Sequence, residues 1–146
     1  MTATRLVLVL LALPCTAAAQ DRCPWLNAAT AGGVLGGAPQ FTVTPTSCEF
    51  IRRLNGQESI LRIEVTSVTA PHEQCKSGAE PLKAIGNQAA ACTYEGKPGW
   101  TAEQVTGTVR DQAFLVRLAT SDRTAASKTL REKVRDIAEQ VAGILF

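Results

Sequence analysis

The sequence predicts an α+β fold: a largely antiparallel sheet of about five or six strands built from two hairpins, with a short N-terminal helix and a long C-terminal amphipathic helix packed on it. Three observations lead there. Strand-like segments follow one another from Phe41 to Leu118, an Asn55-Gly56 pair separates two of them, and a long apolar stripe at helical spacing occurs only near the end of the chain. Consecutive strands with helices at the two ends argue for a sheet covered by helices on one face.

The first nineteen residues stand apart from this domain. Arg5 provides a positive start, Leu6 to Leu13 form an unbroken apolar run, and Ala17-Ala18-Ala19 has the small-residue pattern of a signal-peptide cleavage site. The run is shorter than the roughly 20 residues that span a bilayer. Residues 1–19 therefore read as a signal peptide and residues 20–146 as a single disulfide-stabilised domain, secreted or periplasmic, with no integral membrane segment. The alternative is a lipid anchor on Cys15, but Pro14 is a poor fit where lipoprotein processing wants a small residue.

Removing residues 1–19 from 146 leaves 127, enough for a real core. Arg5 is the only charge removed, so 14 basic and 13 acidic side chains remain. A balance this even, with aromatics at 5%, does not suit nucleic acid or a polyanionic partner.

Along the chain, Asn27 is a good N-cap for a short helix over Ala28 to Leu35, stopped by Gly36-Gly37. Gly32 and Gly33 cost about 1 kcal/mol each relative to alanine and would let this helix lie close to a sheet. Phe41 and Val43 alternate with Thr42 and Thr44 as in a half-buried strand. Asn55-Gly56 then sets a tight hairpin, since both turn positions need positive φ. That turn pairs Phe50 with Leu61 and Cys48 with Ile63 on one face. On the other it pairs Glu49 with Arg62, Arg53 with Glu58 and Ile51 with Ile60, and a one-residue slip would lose every pair. The first face is expected beneath the C-terminal helix, against Val134, Ile137 and Val141.

Residues 69–83, with Pro71, Gly78 and Pro81, read as a connecting loop. Leu82 to Tyr94 reads as a strand interrupted at Gly86-Asn87, and residues 95–99 as loop. A second hairpin turns at Arg110-Asp111 and sets Gly107 opposite Phe114 and Val105 opposite Val116, although Arg-Asp is a poor two-residue turn. In the last segment Leu130, Val134, Ile137, Ala138, Val141, Ile144 and Leu145 form one helical stripe, with Lys128, Arg131, Glu132, Arg135 and Glu139 on the wet face and Ser121 or Ser127 as the cap.

Residues 82–89 (LKAIGNQA), residues 109–116 (VRDQAFLV) and the terminal amphipathic helix together resemble small exported bacterial domains of unknown function with a PsbP-like α/β sandwich, of the actinobacterial lipoprotein and sensor type. The resemblance covers about the last two-thirds of the exported chain. It implies a sheet with a terminal helix and brings no catalytic residues.

Export changes the cysteine count from five to four: Cys23, Cys48, Cys75 and Cys92. An even number in an oxidising compartment points to two disulfides. Three pairings are open, and sequence adjacency favours Cys23–Cys48 and Cys75–Cys92, each worth about 3 kcal/mol through the unfolded state. No cysteines have the close spacing of a zinc site, and His72, Glu73 and Cys75 in one loop do not make a closed metal site. No metal and no cofactor is expected.

His72, the single histidine, has no Gly-x-Ser-x-Gly elbow or free thiol to serve as a base, so no catalytic residue is assigned. Trp25, beside Cys23, reads as a packing lid; Trp100, in a Pro-Gly loop, reads as exposed. The loops around His72 and Trp100 are the candidate binding surface. The expected function is a non-enzymatic binding or sensing module of the cell envelope or secreted fraction, with an envelope protein or a small molecule as partner. The alternatives are a hydrolase using His72 and an envelope structural or assembly component.

Intact-mass measurement of the exported protein should give a chain beginning within two residues of Gln20. A diacylglycerol adduct on Cys15 would move the protein to a membrane surface.

Overall fold

A computed structural model describes residues 22–69, 75 and 78–146. The signal segment, Cys15, His72 and Glu73 lie outside the described residues. Asn27 starts α1 (Ala28–Leu35) by accepting a hydrogen bond from the Thr30 N–H at 2.8 Å, and Gly36 ends it in the left-handed region at φ 79°. The helix carries no cation in its last turn, so the sheet and the second helix supply two. Arg52 donates to the Leu35 carbonyl at 3.0 Å and the Lys133 ammonium to the Val34 carbonyl at 2.9 Å. The helical glycines do not serve an approach to the sheet: Gly32 faces Gly37 and Pro39 of its own cap, and Gly33 faces open space.

The next three strands form a meander: β1 (Gln40–Thr44), β2 (Ser47–Leu54) and β3 (Gln57–Ser67). Strand β1 is less buried than its alternation predicts. Val43 is half-buried but Phe41 stays 44% exposed, because β1 is the outermost strand and no described strand lies beyond it. The β2–β3 register is the one that Asn55-Gly56 dictates, with φ 51° and 74° at the two turn residues. Arg53 pairs with Glu58, and Arg62 lies 3.5 Å from Glu49.

The segment expected as one interrupted strand is two, β4 (Glu80–Leu82) and β5 (Gln88–Thr93), antiparallel across a turn that contains Gly86 at φ 60°. The expected loop over 69–83 therefore ends in a strand, and the sheet has seven strands rather than five or six. Strands β6 (Thr101–Val109) and β7 (Gln112–Thr120) form the second hairpin with the expected register and a two-residue turn. Arg110 takes the positive φ (55°) that this turn demands, and its N–H donates to Asn87 Oδ1 at 2.8 Å. Gly107 lies under the Phe114 ring so closely that a Cβ there would sit 2.6 Å from it.

Strand order is β1-β2-β3-β7-β6-β5-β4, antiparallel at every pairing. The two meanders meet where β3 pairs with β7, setting Leu61, Ile63 and Val65 opposite Leu118, Val116 and Phe114. The last helix, α2 (Ser127–Leu145), follows Ala126 at its N-cap, with no side-chain cap. Ser127 already lies inside the helix, and Ser121 is engaged elsewhere, its hydroxyl accepting from the Glu58 N–H at 2.8 Å. The turn before α2 is tied by Asp122, which accepts from the Thr124 hydroxyl at 2.7 Å and the Thr124 N–H at 2.9 Å. Those bonds, the hydroxyl's foremost, hold the Asp122 carboxyl below its ordinary pKa.

Helix α2 buries Leu130, Val134, Ile137, Ala138, Val141 and Ala142 against β6 and β7, while α1 covers β2 and β3. The apolar face of the first hairpin thus lies under the short helix rather than under the long one, although all of these side chains join one core. Trp25, two residues after Cys23, is buried in it. Ile144, assigned by its spacing to the stripe, is 56% exposed at the last turn.

Arg131 also departs from its wet-face assignment. Its Nε donates to Glu103, a fully buried carboxylate on the helix-covered face of β6, at 2.9 Å. Thr93 Oγ1 donates to the same carboxylate at 2.9 Å and accepts from Arg131 at 3.1 Å. A carboxylate withdrawn from water costs several kcal/mol unless so paired. This pair fixes the first turns of α2 over β5 and β6.

Two stability outcomes follow, both readable by urea denaturation. Leu61→Ala should cost about 2–5 kcal/mol, since Leu61 is fully buried, whereas Glu49→Ala at the half-exposed ion pair should cost under about 1 kcal/mol. Arg131→Ala, which strands the buried Glu103 charge, should cost about 3 kcal/mol. The double variant Glu103→Leu/Arg131→Met should recover most of that loss, and failure to recover it would refute the ion-pair account.

Candidate functional site

Helices α1 and α2 cover one face of the sheet, and among the described residues the opposite face carries two cross-strand rows of contrasting chemistry. One row runs Glu49, Arg62, Arg117, Gln104 and Cys92 across β2, β3, β7, β6 and β5. The neighbouring row is apolar: Ile51, Ile60, Ala119 and Ala102. The loop between β5 and β6 rises beside them. Tyr94 anchors it by donating its N–H to the Ala102 carbonyl at 2.9 Å, and the Trp100 N–H donates to the Lys97 carbonyl at 3.1 Å.

These parts enclose an open groove of about 540 Å³. Ile60, Ala102 and Ala119 form its floor, Tyr94 and Trp100 an aromatic wall, and Arg62 and Arg117 an arginine wall that meets the aromatic one where Arg117 stacks on Tyr94, with Glu49 and Glu95 also in the lining. The Arg117 guanidinium lies 3.5 Å from the centre of the Tyr94 ring, and the Lys97 ammonium 5.3 Å from that of Trp100. Arg62 and Arg117 stand directly opposite each other, a like-charge arrangement that disfavours the sheet. It is offset by Glu49 and Glu64 beside Arg62, and by the bond that Arg117 Nε donates to the buried Gln104 Oε1 at 2.8 Å.

Among the described residues the lining of the groove includes neither serine, cysteine nor histidine. Its aromatic walls, apolar floor and guanidinium edge suit a small flat or aliphatic group with an acidic or hydrogen-bond-accepting edge. The cleft beneath the first hairpin, about 170 Å³, is different. Its cations Arg52 and Lys133 already bond the end of α1. Among the described residues no group of three or more His, Cys, Asp or Glu side chains is placed to hold a metal ion, and no helix is long and apolar enough to cross a membrane.

No protein-family model, curated protein or solved structure matches the chain.

Of the residues singled out in the sequence, Trp100 is half-buried in the groove wall. His72 lies outside the described residues. The cysteines pair as Cys23–Cys48 and Cys75–Cys92, with Cα separations of 5.7 Å. Cys92 ends the arginine row, so the second disulfide pins Cys75 to the same sheet face as the groove. Two disulfides fit an exported protein in an oxidising compartment. Sequence reasoning missed Tyr94, Arg62 and Arg117 as site residues. A signal was present for Arg117, a cation inside the apolar strand Phe114 to Leu118. It acquires meaning only once β7 is known to lie beside β3.

Proposed function

We propose that this protein is an exported binding module that holds a small molecule, or a small group of a larger partner, in the groove between Trp100 and the arginine row. The observation that carries this reading is the convergence of Tyr94, Trp100, Arg62 and Arg117 over an apolar floor. Glu49 and Glu64 hold Arg62, and Tyr94 and Gln104 hold Arg117, at the rim of the groove, and two guanidiniums so positioned suit recognition of an acidic edge. Tyr94 and Trp100 lie outside the apolar core, each beside a cation of the protein, and their rings in the groove suit a ligand that stacks. Cell-envelope or secreted location follows in this proposal from the signal segment and the disulfides.

The groove can be probed with naphthoate followed by amide NMR of the disulfide-intact protein. Shifts should cluster at Tyr94, Trp100 and Arg117, and Trp100→Ala should weaken binding about tenfold. Shifts scattered over the surface, or binding indifferent to Trp100→Ala, would refute the assignment of the groove.

A further inference from the structure

The two edges of the sheet are treated differently. At one, β4 is three residues long, contains Glu80 and Pro81 and is followed by Lys83, all devices that discourage pairing with another strand. At the other, β1 has none: residues 36–48 include no charged side chain, and the five residues of β1 include no proline.

The backbone of β1 is also correctly oriented for pairing. Val65 N–H donates to the Thr46 carbonyl, so in β2 the even-numbered residues turn their backbone groups towards β3 and the odd-numbered ones towards β1. Ser47, Glu49 and Ile51 accordingly bond Thr44, Thr42 and Gln40. Phe41 and Val43 are left with their N–H and C=O groups facing outward. Their side chains lie on the helix-covered face, where Phe41 rests 5.9 Å from the Phe50 ring yet stays 44% exposed. A cavity of about 320 Å³ opens beside it, lined by Arg22 and Asn27 as well as by Cys23, Leu26, Phe41 and Phe50.

We propose that β1 is a self-association edge, pairing antiparallel with β1 of a second copy about a two-fold axis at Thr42. Pro39 and Pro45 bracket the strand and confine pairing to Gln40–Thr44, and only the register centred on Thr42 keeps all five residues paired. In that register the outward groups of Phe41 meet those of the partner's Val43 and the reverse, satisfying all of them at once. The exposed Phe41 ring then packs on the partner's Val43. No like charges meet between the paired strands, because Gln40–Thr44 carry none. Strand-to-strand pairing of five residues falls below the roughly 1,200 Å² of a standard stable interface, so the dimer is weak and reversible. The result is a continuous sheet with a groove on each copy.

Sedimentation velocity of the disulfide-intact exported protein, over about two orders of magnitude in concentration, reads this directly. A monomer–dimer equilibrium is expected. Val43→Pro removes an outward N–H while leaving the β1–β2 ladder intact, and should give a monomer throughout. Phe41→Lys, at an exposed position, should do the same without touching the backbone. Glu80→Ala at the opposite edge should leave the dimer unchanged. Circular dichroism confirms that each variant is folded. A wild-type protein that stays monomeric at every concentration overturns the proposal, as does a dimer that survives both folded β1 variants or is lost on Glu80→Ala.

Discussion

Strand β3 pairs with β7 along nine residues, from Ser59 opposite Thr120 to Ser67 opposite Gln112, and this ladder holds the two halves of the sheet together. Among the described strands it is the one pairing between the first meander, β1 to β3, and the second, β4 to β7. All other strand pairings are between neighbours in sequence and close over short connections; this one joins residues more than forty positions apart. Its register does two things together. On the covered face it brings Leu61, Ile63 and Val65 against Leu118, Val116 and Phe114, the centre of the core. On the open face it brings Arg62 against Arg117. Because side chains alternate, a slip of one residue would expose the first set and bury the second. Burial of the six apolar side chains, each worth about 1.5–3 kcal/mol, far outweighs the repulsion between two half-exposed guanidiniums. The core therefore sets the register, and the arginine pair is carried with it.

The helices add an asymmetry to that sheet. Both pack on one face, and each is positioned by charge as well as by apolar contact. Helix α1 is met at its C-terminal carbonyls by Arg52 from β2 and Lys133 from α2. Helix α2 is met at its start by Glu103 from β6. Apolar contacts alone tolerate sliding along a sheet, whereas a buried carboxylate accepts its arginine at a single place. Lys133 and Arg131, two residues apart, therefore tie α2 to α1 in one direction and to β6 in the other.

Much of this was legible locally and little of it globally. The Asn55-Gly56 turn, with charges and apolar residues that agree on either side, specified the first hairpin to the residue, and adjacency of the cysteines favoured the pairing found. The Gly107–Phe114 complement did the same for the second hairpin in spite of Arg110-Asp111. What escaped the sequence depends on neighbours distant in the chain. Phe41 has the alternation of a half-buried strand, but its exposure follows from β1 being an edge. Arg131 has the spacing of a wet-face residue, but a long side chain beside a helix stripe can reach a buried carboxylate in the sheet. The position of α2 over β6 and β7, and the capping of α1 from outside, likewise required the order of the strands.

The groove is subject to the same division. Its floor and arginine wall are built on β3, β7 and β6, the interior strands whose backbone groups are bonded on both sides. The aromatic wall comes from the β5–β6 loop, held by Tyr94 at one end and by the Lys97–Trp100 turn at the other. A groove made this way has a floor that the fold cannot alter without losing its core, and a wall whose sequence can change at little cost to stability. That is why the arginines, placed by the core register, were invisible as a pair in the sequence, while Trp100, placed by its own loop, was not. The guanidinium of Arg117 joins the two, stacked on Tyr94 of the loop and bonded to Gln104 of the sheet. It is the point at which ligand contact with the aromatic wall would be felt by the strands beneath.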